Sequence, residues 1–256
     1  MARKITILTV QRTERVAPGM VRVHLGGTGF ETFEPSVFTD AYVKLHFGSE
    51  AEPVTRTYTV RSVDLEQREI AIDFVVHGDE GVAGAWAESV AAGETVRLSG
   101  PGGAYRPDPT ADWHLLAGDE SALPAIAAAV ASMSADAVGQ VFVEVAGAQA
   151  EVPIVAPAGV SVTWVHRGAA AGEVADDEAG RHAPLVAAVR GAPWLAGEPH
   201  VFIHGEAQAV MHGLRPYIRK ERGVPAARAS ISGYWRRGRT EEGFRTWKRD
   251  LAAAES

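Results

Sequence analysis

Between positions 56 and 61 the chain reads Arg56-Thr57-Tyr58-Thr59-Val60-Arg61, two cations, two hydroxyls and an aromatic ring at strand-like spacing. On an extended backbone Arg56, Tyr58 and Val60 face one way and Thr57, Thr59 and Arg61 the other. The planar fork of an arginine suits a pyrophosphate. A tyrosine ring can lie against an isoalloxazine, while hydroxyls and backbone groups reach the flavin heteroatoms. The chemistry such a strand would serve is the holding of a flavin. An ordinary exposed strand has a similar composition.

Two further segments could hold phosphate or cofactor. Asp73-Phe74-Val75-Val76-His77-Gly78 ends a strand and turns through glycines towards Trp86. A helix starting there offers backbone N–H groups and a positive dipole end, so Gly81–Trp86 is a candidate diphosphate cradle. Leu115 to Pro124 passes from an apolar strand into a helix with Pro124 in its first turn. Ligands of parallel sheets sit beyond the carboxyl ends of strands, which is where Gly118–Ala122 falls. Asp119 and Glu120 could equally cap that helix.

The net charge of −7 conceals an asymmetry. Residues 215–249 carry eleven Lys and Arg against three Glu, so this stretch is +8 and the remainder −15. A basic region on an acidic body suits a local anionic partner and not general nucleic-acid binding. Within it, Trp235-Arg236-Arg237 offers a ring and two cations. Thr240 can cap a helix with Glu241 and Glu242 in its first turn and Phe244, Trp247 and Leu251 as its apolar stripe.

Several chemistries drop out. The chain has no cysteine, which removes disulfides, thiolate metal sites and Cys nucleophiles. His200 and His204 lie on a strand pattern, about 13 Å apart at roughly 3.3 Å per residue, so they make no zinc pair. No hydrolase elbow, phosphate-binding P-loop or G-x-G-x-x-G fingerprint occurs. No signal peptide or membrane-length apolar run is present, so a cytoplasmic protein is expected, and nothing demands more than a monomer.

The elements that must position these residues come in two kinds. Ile5–Val10, Met20–Leu25, Tyr42–Phe47 and Glu69–Val76 alternate or are rich in β-formers, with Gly and Pro between them, predicting an antiparallel β-barrel over residues 1–110. One helix is predicted over Ala83–Ala92. Beyond a linker at 107–112, short apolar strands (114–117, 141–145, 160–165, 201–204) alternate with helices over Ser121–Ser132, His182–Val189 and Ala207–Arg222. That predicts a mostly parallel α/β domain over 111–256, ending in a basic helix.

Taken in order, five segments resemble the siderophore-interacting protein family, a branch of the ferredoxin-reductase-like flavoproteins. They are R-x-Y-[ST]-x-R at Arg56–Arg61, D-[FL]-V-x-H-G at Asp73–Gly78 and G-x-A-x-x-W-A at Gly81–Ala87. The last two are G-D-E-[ST]-A-L-P-A-I at Gly118–Ile126 and G-Y-W-R-x-G-[RK]-x-E-E at Gly233–Glu242. The resemblance implies FAD in the first domain and a reductase of ferric siderophores, with NADH, NADPH or ferredoxin as donor. It implies FAD contacts from Arg56, Thr57, Tyr58, Thr59, Asp73, Val75 and His77, with phosphate held at Gly81, Ala83, Gly84 and Trp86. Asp119, Glu120, Ala122 and Trp235 would reach the cofactor from the second domain. A basic siderophore pocket is implied at Lys44, with Arg236, Arg237, Arg245 and Lys248 as candidates to complete it. The phosphate turn departs from the family: Val82, Gly84 and Ala85 stand where proline, serine and arginine are common. A ferric-siderophore binder without turnover, or a flavin reductase with another acceptor, are the alternatives.

Overall fold

A computed structural model describes residues 4–49, 51–76, 81–239 and 243–244. The chain divides into two compact units. The first runs from the N-terminal residues to Pro109 and includes Pro124–Ala135 and Gln149–Pro157; the second takes Thr110–Leu123, Asp136–Ala148 and the residues from Ala158 on.

The first unit is a seven-stranded antiparallel sheet. Its strands are β1 (Ile5–Ala17), β2 (Met20–Gly26), β3 (Tyr42–Gly48), β4 (Pro53–Thr59), β5 (Ser62–Asp64), β6 (Glu69–Val75) and β7 (Thr95–Gly102), in the order β4-β3-β7-β1-β2-β6-β5. Alternation puts Leu8, Val10, Val43, Leu45, Phe47, Ile70, Ile72 and Phe74 into one buried cluster. The sheet rolls so that its two ends meet: the rings of Tyr58 and Phe74 lie 4.4 Å apart, and Arg61 N–H donates to the Ala71 carbonyl at 2.8 Å. The helix α1 (Val82–Ser89) covers the roll with Ala83 and Ala87 buried.

On the outer face the roll is held by ion pairs. Arg12 grips Glu69 through two 2.7 Å bonds, and Arg22 grips Asp73 at 2.6 and 2.9 Å. This explains why β6 is buried on both faces although its residues alternate in polarity.

The second unit is a parallel sheet of β8 (Trp113–Asp119), β9 (Val138–Val145), β10 (Gly159–His166), β11 (Pro199–Glu206) and β12 (Ala229–Trp235), ordered β10-β9-β8-β11-β12. The predicted fold class, an antiparallel roll followed by a parallel α/β unit, is what forms. The helix α2 (Leu123–Ala131) follows β8, α3 (Pro184–Gly191) precedes β11, and α4 (residues 207–221) follows β11. α4 is wound as a π-helix over Ala209–Leu214 and Tyr217–Glu221. The strand β12, Ala-Ser-Ile-Ser-Gly-Tyr-Trp, has no apolar run and shows only in its parallel register with β11. The predicted stripe of Phe244, Trp247 and Leu251 extends beyond the described residues, of which only Phe244, buried, can be placed.

Candidate functional site

β3 and β4 pair so that Val43 faces Tyr58, Leu45 faces Arg56 and Lys44 faces Thr57. Arg56 and Tyr58 therefore share the core-side face of the ribbon with Val43 and Leu45, and Lys44 stands on the other face with Thr57. Since β4 is a sheet edge, the core-side face there is only half covered, and both Arg56 and Tyr58 are half-buried. The Arg56 guanidinium lies back on its own strand, donating to the Thr55 carbonyl at 3.0 Å.

Phe74 is the hub of this region. Fully buried, it touches Tyr58 on one side and Trp86 of α1 on the other, at 4.4 and 5.5 Å between ring centroids. Trp86 also packs on Phe47 at 5.4 Å. The segment that pairs Tyr58 with α1 is thus built from aromatic contacts contributed by four separate elements.

Among the described residues, the start of α1 has no side-chain cap. Its N-cap is Gly81, which has no side-chain oxygen, and no acidic residue stands in the first turn. The N–H groups of a helix start carry partial positive charge and call for an acceptor. A diphosphate is an acceptor of the right kind. The Arg56 guanidinium and the N–H groups of this helix start are donors of the kind that a flavin dinucleotide's diphosphate accepts from, and the half-buried Tyr58 ring is of the kind that lies against a flavin. Val82, Gly84 and Ala85 add no side-chain donor to it.

Other expected contacts are spent elsewhere. Both oxygens of Asp73 accept from Arg22, which anchors the carboxylate on the outer face. Ala83 is buried under the sheet, and Trp86 is half-covered by Phe47 and Phe74. Val75 is half-buried at the end of β6. Thr57 is exposed. His77, Arg245 and Lys248 lie outside the described residues.

In the second unit the residues beyond β8 turn inward. Asp119 accepts from Ser121 N–H (2.9 Å) and Oγ (2.5 Å), from Glu206 N–H (2.8 Å) and from the Trp235 indole (2.8 Å). Burial pushes its carboxyl up to about 6, with the neighbouring charge of Glu120 adding to the shift and the Ser121 and Trp235 bonds opposing it. Gly205, at φ 142°, leaves room for this: a Cβ there would stand 2.8 Å from Asp119 Oδ2. Glu120 pairs with Arg167, which also holds Glu144 at 3.1 Å, in a triad whose side chains are at most 13% exposed. Ala122 is fully buried. Of the residues that sequence reasoning placed near the cofactor, Asp119 and Glu120 are bonded to groups of this unit and Ala122 is buried in it.

Glu206, absent from the sequence-based candidates, organises the far end of the sheet. One oxygen caps α4 at Gln208 and Ala209 N–H (2.7 and 2.9 Å), and the other accepts from Arg236 at 3.2 Å and Arg237 N–H at 3.3 Å. Arg236 is therefore paired with Glu206. The N-cap preference for Ser, Thr, Asp and Asn does not include Glu, so residue type alone gave no signal for Glu206.

Comparison with known proteins places these features. Residues 111–238 match the model of the siderophore-interacting protein family, and residues 45–105 match the siderophore-interacting FAD-binding domain. The chain belongs to the siderophore-interacting protein family. It is 56% identical to an uncharacterized protein of Mycobacterium tuberculosis, over 99% of this chain and 98% of that one. It is 31% identical to the ferric vibriobactin reductase ViuB of Vibrio cholerae, over 93% and 92% of the two chains. Among solved structures, the siderophore-interacting protein SipS of Aeromonas hydrophila superposes with a TM-score of 0.83 at 27% identity, over 98% of this chain and 99% of that one. A ferredoxin NADP+ reductase of Neisseria gonorrhoeae, at 11% identity, 91% and 100% coverage and a TM-score of 0.70, shares the fold. Among the described residues no helix is long and apolar enough to cross a membrane, and no His, Cys, Asp and Glu cluster could hold a metal.

Proposed function

We propose that this protein is a cytoplasmic flavin-dependent reductase of ferric siderophores, with NADH, NADPH or ferredoxin as donor and Fe(II) as the product released. The observation that carries this reading is the packing on Phe74 of Tyr58 from the Arg56–Thr59 strand and of Trp86 from α1, a helix whose N-cap is a glycine. Arg56 and the first N–H groups of α1 would hold the diphosphate of FAD. Tyr58 would lie against its ring system, with Thr59 beside it. When bound, FAD would take two electrons from a nicotinamide, or one at a time from ferredoxin, and release them singly to Fe(III).

The chain's own work is to bind and orient. It need not ligate iron, because an anionic ferric chelate can be held by charge. Lys44, on the face of the β3–β4 ribbon opposite Arg56, is the cation proposed for that task. Once reduced, the iron is held less tightly by hard oxygen ligands and leaves to other acceptors.

The test is purification followed by anaerobic reduction with each donor in turn and then addition of a ferric siderophore, with Fe(II) trapped by a coloured chelator. Fe(II) formation supports the reading. A flavin-loaded protein that binds the chelate but yields no Fe(II) with any donor is a binder without turnover, and the reductase reading then fails. Arg56→Ala is expected to lower bound flavin, read from visible absorbance, by about tenfold at fixed FAD.

A further inference from the structure

The first unit holds a pocket of about 300 Å³ lined by the end of the Arg56–Arg61 segment, and one cation looks onto it. That cation is Arg61. Its side chain is half-buried, and among the described residues it makes no hydrogen bond or ion pair. The nearest compensating charge is Asp73, both of whose oxygens are bonded to Arg22. Two guanidiniums thus share one carboxylate, and Arg22 has it. Burial pushes the Arg61 guanidinium below its ordinary value; Asp73 offsets this and Arg22 adds to it. A cation left in that state calls for an anion.

The rest of the pocket wall says what kind of anion. Phe33, Val60, Val63 and Pro101 are apolar, and α2 closes one side with Ala128. At its mouth Val37 is 70% and Phe38 39% exposed, apolar surface that a ligand would cover. The loop carrying them is anchored: Asp40 Oδ1 accepts from Ala104 and Tyr105 N–H at 2.8 and 2.9 Å, and Thr39 N–H donates to the Tyr105 carbonyl at 2.8 Å. The pocket is therefore preformed and sits at the small end of the range for ligand sites. It has room for one or two rings.

The geometry points to a second small-molecule site here, one that takes a small arene carboxylate with its anion on Arg61 and its ring between Phe33, Pro101 and Ala128. This site is independent of the reductase reading and would stand if that reading fell.

Isothermal titration of the flavin-loaded protein with 1-naphthoate tests it, with 1-naphthamide as the neutral control. Saturable binding with a stoichiometry of one is expected, and the amide should bind about tenfold more weakly or worse. Arg61→Met and Ala128→Leu should each weaken naphthoate by about tenfold, and Ala128→Leu should leave flavin content as it was. If Arg61→Met does not fold, Ala128→Leu, which only adds bulk to the wall, decides the matter. No saturable binding to the wild type, equal binding of the amide, or undiminished binding to Ala128→Leu would each overturn the assignment.

Discussion

The indole Nε1 of Trp235 donates to the Asp119 carboxylate at 2.8 Å, tying the last residue of β12 to the last residue of β8. The same carboxylate holds Glu206 N–H, so three parallel strands meet at one side chain. Because the folded-state carboxyl is raised to about 6 from 3.8, its stabilising contribution is complete below the unfolded value and is lost as pH rises through about 6. Asp119→Asn removes that titration. The wild type is expected to lose margin relative to Asp119→Asn, by at most about 3 kcal/mol, between roughly pH 4 and pH 7. Paired thermal melts across that range measure it; a wild type that gains on the variant as pH rises contradicts the sign.

Phe74 joins Tyr58 to α1, so shortening it should act on both stability and flavin. Phe74→Ala is expected to cost about 3–5 kcal/mol, from lost burial and the cavity left behind. Flavin retention should fall with it, more than for Phe33→Ala, which empties the same core without touching Tyr58 or Trp86. Denaturant melts and flavin absorbance on the two variants give the comparison.

Arg167 sits between Glu120 and Glu144 with its side chain 5% exposed. Removing it leaves two carboxylates buried and facing each other. Arg167→Met should destabilise the protein by about 3–5 kcal/mol. Combining Arg167→Met with Glu120→Gln and Glu144→Gln should recover most of that, because the cost lies in the stranded charges. Chemical denaturation of the single and triple variants checks the order.

Lys44 and Arg56 stand on opposite faces of the β3–β4 ribbon, as their register requires. Lys44→Ala should therefore weaken an anionic ferric chelate roughly three- to tenfold and leave flavin content unchanged. Chelate titration alongside flavin absorbance separates the two; equal loss of both would show that the faces are not independent.

The alternation of Val43, Leu45 and Phe47 and of Ile70, Ile72 and Phe74 made the antiparallel unit legible, because period two has one physical meaning. The apolar runs at 115–117, 141–145 and 201–203 did the same for the parallel sheet. β12 was not legible, since Ala-Ser-Ile-Ser-Gly-Tyr-Trp is held by its neighbour's register and not by a pattern of its own. The Arg56–Arg61 segment announced its donors and its ring from residue types alone. Their company did not show. Tyr58 meets Phe74, and Arg22 takes Asp73, leaving the Arg61 side chain without a partner among the described residues. Asp119 turns inward to Trp235, 116 residues away. A sequence states which groups a chain owns and which face of an element they take. Which of those groups remains for a ligand is decided only when partners distant in the chain are brought within bonding distance, since a carboxylate already surrounded by donors has nothing left to offer.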